Sequence, residues 1–304
     1  MKVDATDAKQ DWAARSERGH VAAIRLIVWI ALHLGRTATR LLLYPICLYF
    51  LLFSRDSRQA SEAYLGRILG RHPGPADRFR HYFAFAACVL DRVYLLNNEL
   101  SLFDLRVEGE PLAAAELARG NGCFLFGAHL GSFEVLRALG HHQAGLKLSL
   151  LMYEVNARKI NSVLNAINPD LALEVIPLGQ SDAVLVVRQR LDEGHFIGVL
   201  ADRGLALDKD DHLQLEFLGR VARFPRGPFR LAAILQRRVL LMVGLYRGGR
   251  RYDIYFEQLA DFAGLGADQR QAAIDQAIGR YADRLAYYCR LAPYNWFNFF
   301  DFWK

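Results

Sequence analysis

Two residues five positions apart, His129 and Glu134, have the types that proton transfer requires. An imidazole titrates near neutral pH, and a carboxylate can hold its tautomer and orientation. Five is the wrong spacing for one helix, on which the two side chains would point about 140° apart. They can act together only if His129 stands at the carboxyl end of a strand and Glu134 lies in the first turn of a following helix. The neighbouring residues fit that reading. Cys123 to Ala128 is a short apolar run with the aromatic content of a buried strand, and His129-Leu-Gly-Ser132 is a polar turn. Phe133, Leu136 and Leu139 then fall along one helical face. Ser132 is a candidate cap for that helix, and a carboxylate in its first turn suits the helix dipole. The plain alternative is a surface histidine beside a capping acid.

Further polar residues follow the same logic. Asp202-Arg203 comes directly after another predicted strand, His195–Leu200, so it can meet His129 at one carboxyl sheet edge, where open α/β sheets bind ligands. An arginine there suits a phosphate or carboxylate; a salt bridge to the acidic loop at Asp208 to His212 is the ordinary alternative. Arg223, just before the turn Phe224-Pro-Arg-Gly-Pro228, and Arg226 within it precede a helix N-terminus, an arrangement that can hold an anion or be a solvated loop. Gly131, Ser132, Asp202, Arg203, Arg223, Arg226 and Gly227 form the expected substrate-binding set. The chain has no Gly-x-Ser-x-Gly elbow and no glycine-rich nucleotide fingerprint. The four cysteines are widely spaced in apolar contexts and read as buried free thiols, and His141-His142 lacks a partner at ligand spacing, so no metal is expected.

These residues must be positioned by a sheet. From Phe103 onward, strands at 103–108, 122–128, 147–153, 173–177 and 195–200 alternate with helical segments over 112–119, 133–139, 156–168 and 182–192. An antiparallel pair follows at 239–246 and 252–258, with a long helix over 268–290. The expected fold is α/β, a mixed, mostly parallel central sheet flanked by helices, with an N-terminal hydrophobic helical arm. Helices at 56–71 and 77–100 precede it. Residues 1–20 read as a polar, disordered tail, 21–55 as a membrane anchor helix, and 56–304 as one domain.

The arm poses a length problem. Val21 to Phe53 is apolar but carries Arg25, Arg36 and Arg40, and no small-residue cleavage site follows it. As one helix it extends about 50 Å, against a hydrocarbon core of about 30 Å. Centring it would place an arginine deep in lipid at about 3 kcal/mol. A tilted span with snorkelling arginines and a helix lying in the interface both remain open. The formal charge of +6 and the 53% hydrophobic content favour an acidic membrane face or phosphorylated substrates, and no nucleic-acid motif is present.

The segment from Gly122 through Glu134, together with Asp202-Arg203, Phe217-Leu-Gly219 and Pro225 to Pro228, resembles the glycerolipid and lysophospholipid acyltransferases. It resembles in particular the bacterial late (lauroyl/myristoyl) acyltransferases of lipid A, whose His-x4-Asp/Glu motif matches His129 and Glu134. That resemblance implies a glycerolipid acyltransferase-like fold and transfer of a fatty acyl chain from acyl carrier protein, or from coenzyme A, to a hydroxyl or amine of a lipid or glycolipid. His129 would be the general base, Glu134 its orienting partner, and the thioester a co-substrate with no separate cofactor. The expected location is the bacterial inner membrane with the site facing the cytoplasm. Two features depart from the lipid A pattern: Asp202-Arg203-Gly204, and the tail Asn295-Trp-Phe-Asn-Phe-Phe-Asp-Phe-Trp303, which looks more like acyltransferases of aryl-polyene pathways. The tail reads as an aromatic plug or a lipid-interface belt. A lipid A late acyltransferase proper and a non-catalytic lipid-binding protein are the alternatives.

Overall fold

A computed structural model of the chain describes residues 5–135, 146–153, 174–178, 182–203 and 211–303, with side chains from residue 29 onward. Most of the helix expected at 133–139, the helix at 156–168, His141-His142, Gly204 and Asp208 lie outside the described residues.

The chain forms a seven-stranded mixed sheet. Its strands are β1 (Asp104–Glu108), β2 (Cys123–Gly127), β3 (Leu148–Tyr153), β4 (Glu174–Leu178), β5 (Phe196–Leu200), β8 (Arg238–Gly248) and β9 (Arg251–Asp261). Across the sheet the order is β1-β9-β8-β2-β5-β3-β4, and every neighbouring pair is parallel except β8–β9. A separate two-stranded hairpin joins β6 (His212–Phe217) to β7 (Arg220–Pro225). The described helices are α1 (Ala5–Phe53), α2 (Arg55–Leu69), α3 (Pro75–Leu96), α4 (Glu110–Arg119), α5 (Ala183–Asp192), α6 (Gly227–Ile234) and α7 (Ala267–Leu291).

All five residues of β2 are buried, because the strand is central and covered on both faces. Alternation splits it between two cores. Phe124 and Phe126 join a cluster with Phe229, Tyr281 and Trp296, while Cys123 and Leu125 join another with Ala87, Cys88 and Tyr252.

Helix α1 starts at Ala5, within the stretch expected to be a disordered tail, and breaks at Gly35, whose φ is 75°. Trp29–Phe53 is long and apolar enough to cross a membrane, by length and composition. Residues 31, 36, 39, 43 and 47 are buried in a stripe against the domain. Arg36 forms a two-pronged pair with the fully buried Asp91 of α3, both contacts at 2.8 Å, and donates to the carbonyl of Gly249 at 2.6 Å. Tyr252 donates to the same aspartate at 2.8 Å. Arg40 reaches Gly249 O at 3.1 Å and the Tyr246 hydroxyl at 2.7 Å. Arg36 and Arg40 are thus turned towards protein.

Candidate active site

Strand register builds the site. In the parallel pair β2–β5, Gly127 lies opposite Leu200. Two residues beyond each partner, the chains present His129 and Asp202 side by side at the carboxyl edge. The imidazole Nδ1 is 2.8 Å from Asp202 Oδ1, and the His129 amide donates to Asp202 Oδ2 at 3.1 Å. Trp296 Nε1–H donates to that same Oδ2 at 3.2 Å. The Asp202 side chain is fully buried, and the His129 side chain keeps about a third of its surface (32%) open to solvent.

Burial alone would raise the Asp202 pKa. The facing His129 ring, its two hydrogen bonds and the charge of Arg203 outweigh that, and the carboxyl is held down at about 2. An ionised carboxylate only accepts hydrogen bonds, so Nδ1 of His129 carries a proton, and in the neutral ring Nε2 is left with the lone pair. In that form the ring, part of which is open to solvent, offers a base at Nε2.

The C-terminal segment closes the other flank. Phe297 N–H donates to His129 O at 2.7 Å, and Gly131 N–H donates to Asn295 O at 2.8 Å, so the motif turn is paired like a short strand with the tail. The Asn295 side chain in turn binds both the N–H (2.7 Å) and the carbonyl (3.1 Å) of Tyr246 on β8. His81 of α3 holds the tail from beneath: its Nε2 lies 2.8 Å from Trp296 O and its Nδ1 2.8 Å from the Ser61 hydroxyl. Trp296, Phe297, Phe302 and Trp303 are buried, with Trp296 packed edge-on against Tyr64, Phe217 and Phe302. Of the two readings of this tail, the packing is that of a plug. It also supplies a donor to the buried acid, which the aromatic composition did not reveal.

Glu134 stands elsewhere. Its Oε1 lies 2.8 Å from Arg92 Nε, a charge contact in which the N–H is not aimed along the line, and its Oε2 accepts from the Ser132 hydroxyl at 3.1 Å. The hydrogen-bond partner of the His129 ring is Asp202 rather than Glu134. Ser132, expected as a cap, is buried and donates its hydroxyl to Glu134, while its amide donates to Gly244 O at 2.8 Å.

Gly131 (φ 68°) lies against Gly244 of β8, and a Cβ on it would meet the Gly244 carbonyl oxygen at 1.9 Å. Only glycine tolerates both that backbone and that approach. Its place here is to seat the turn.

Arg203 adjoins the site. Its Nη2 donates to Phe297 O at 2.9 Å, its guanidinium lies 4.6 Å over the Phe300 ring, and its Nε is buried without a partner. Burial pulls its pKa down, against the neighbouring Asp202 charge. Arg226 is committed elsewhere: it pairs with Asp275 of α7 at 2.9 and 3.2 Å and donates to His212 O, anchoring the hairpin beside Gly227 at the start of α6. Arg223 is exposed on β7. No described hydrogen bond or ring contact joins Arg223, Arg226 or Gly227 to the His129–Asp202 pair.

Cys47, Cys88, Cys123 and Cys289 are free and buried, and burial pushes their thiols up, so none is poised as a thiolate nucleophile. Among the described residues no cluster of three or more His, Cys, Asp or Glu side chains could hold a metal. Comparison with protein-family models finds no match, and comparison with curated proteins finds none at a significant level.

Proposed function

We propose that this protein is a membrane-associated acyltransferase that moves a fatty acyl chain from a thioester, on acyl carrier protein or coenzyme A, to a hydroxyl or amine of a lipid or glycolipid. The observation that carries the reading is the contact of His129 Nδ1 with the buried carboxylate of Asp202, which leaves Nε2 of the partly exposed ring to serve as the base. The motif resemblance at His129–Glu134 and the exposed apolar arm support it.

In this mechanism Nε2 takes the proton of the acceptor hydroxyl as its oxygen attacks the thioester carbonyl. The tetrahedral intermediate collapses with cleavage of the carbon–sulfur bond, and His129 returns the proton to the departing thiolate. Asp202 holds the ring and stabilises the imidazolium that forms. The amides of His129, Gly131 and Ser132 are already donated to Asp202, Asn295 and Gly244, so we assign the steadying of the oxyanion to Arg203. To Glu134, which contacts Arg92 and is joined to the motif turn through Ser132, we assign the positioning of the acceptor.

The test uses the full chain in lipid vesicles with radiolabelled acyl carrier protein and a bacterial lipid extract. Label is expected in a lipid ester or amide, and a folded His129→Ala variant is expected to be about 10²–10⁴-fold slower. Transfer undiminished in that variant would remove the base. Label appearing only as free fatty acid would make the protein a hydrolase, and no consumption of thioester would leave a lipid-binding protein.

A further inference from the structure

Residues 29–53 present two contrasting faces. Their only charged side chains are Arg36 and Arg40, and both point inward to Asp91, Gly249 and Tyr246. The outward face is apolar and aromatic: Leu41 is 67% exposed, Leu48 50%, Tyr49 58% and Phe53 70%. Water is a poor solvent for such a surface, which exceeds the scattered apolar residues of ordinary protein exteriors.

We infer that this arm lies flat in the headgroup–acyl boundary of an anionic bilayer, with the outward face in lipid and the inward face on the domain, and does not span the membrane. Three observations decide against spanning. The break at Gly35 ends the first helical piece, leaving 36–53 at about 27 Å by the rise of a helix, shorter than the hydrocarbon core of about 30 Å. Arg36 and Arg40 both bind the carbonyl of Gly249, at the tip of the β8–β9 hairpin. A perpendicular helix extended back to Trp29 to gain the missing length would carry that tip, with the exposed Arg247 and Arg250, about 10 Å below the surface into hydrocarbon, where charged side chains are strongly disfavoured. Finally, α3 runs along the inward face and would have to enter with it, bringing Asp91 and Arg92.

Lying flat removes the conflict. The arm's exposed apolar residues enter the acyl boundary, and Arg250 and Arg55 at its flank are exposed and free to meet acidic headgroups. The geometry also keeps the domain on one leaflet. This inference deepens the membrane part of the proposed function and does not depend on the chemistry at His129.

Two experiments on the full chain test it. In flotation with phosphatidylcholine–phosphatidylglycerol vesicles, the paired substitution Leu41→Glu and Leu48→Glu is expected to reduce vesicle-bound protein at least tenfold, with the circular dichroism spectrum unchanged. Unchanged flotation of that variant, or a stable dimer that fails to bind vesicles, would overturn the proposal. Topology is read by a membrane-impermeant maleimide in sealed membrane vesicles, since the native cysteines are buried. Thiols introduced by Thr6→Cys and by Ser101→Cys are expected to react from the same side. Reaction from opposite sides means that the arm spans. Both outcomes are independent of whether acyl transfer is detected.

Discussion

The substitution Asp202→Asn probes the site most directly, because it preserves shape and changes only the hydrogen-bond polarity. The carboxylate takes three donors: the His129 ring and the His129 amide at one side chain, and the Trp296 indole. Oδ2 alone takes two of them, so the single carbonyl oxygen of an asparagine belongs there. Its amide NH2 then faces Nδ1 of His129, which must present a lone pair, and the ring proton moves to Nε2. The base is lost from the open side while the fold is kept. General base catalysis contributes about 10²–10⁴-fold, and a complete tautomer swap forfeits most of it. We expect a loss of about 10³-fold in kcat, or about 4 kcal/mol of barrier. The assay is single-turnover transfer from a labelled thioester, with near-ultraviolet circular dichroism as the control for folding. Glu134→Gln is the companion variant. It keeps an acceptor for Ser132 and loses only a charge contact with Arg92 between half-buried side chains, so a loss of tenfold or less is expected. Activity within tenfold of the parent for Asp202→Asn, or an equal loss for Glu134→Gln, would refute the assignment of the orienting acid.

Other consequences follow from the supports of the site. Gly131→Ala forces a Cβ onto the Gly244 carbonyl at a φ of 68°, and should destabilise the protein by at least about 2 kcal/mol in urea unfolding while abolishing turnover. His81 is fully buried, and burial lowers its pKa from 6.5 to about 4, against the hydrogen bond to Trp296 O. The unfolded chain binds the proton first as pH falls, so the stabilisation is complete above pH 6.5 and lost by about pH 4. It amounts to about 3 kcal/mol. Urea midpoints measured between pH 7 and 4 should fall steeply in the parent protein and less in His81→Gln.

The sheet was legible in the sequence because its strands are short apolar runs separated by turn residues, and each of the seven lies where the periodicity puts it within a residue or two, save that β9 runs three residues further, to Asp261. The antiparallel β8–β9 pair was legible from Arg247-Gly-Gly-Arg250. His129 and Asp202 could both be assigned to one carboxyl edge, since each follows a strand. Which acid serves His129 was not legible. Proximity along the chain favours Glu134, whereas contact depends on the equal offset of His129 and Asp202 beyond paired strands, a fact of register that no single strand carries. Trp296 is further still from recognition, because an indole that holds a buried carboxylate looks in sequence like any tail aromatic. For the arm, Arg36 and Arg40 show a shared face but not the partner. Asp91 lies 55 residues away from Arg36, and only packing reveals it.

The strap of residues 294–303 carries a consequence for synthesis. The motif turn is made near the middle of the chain, yet its backbone partners at Asn295 and Phe297 and the indole on Asp202 come from residues translated much later. Until Trp296 has emerged, the acid lacks one donor and the turn lacks its paired edge. A chain interrupted before that point would carry His129 and Asp202 but lack the Trp296 donor and the backbone bonds of Asn295 and Phe297 that brace them. Ordering of the His129 turn is thus tied to completion of the chain.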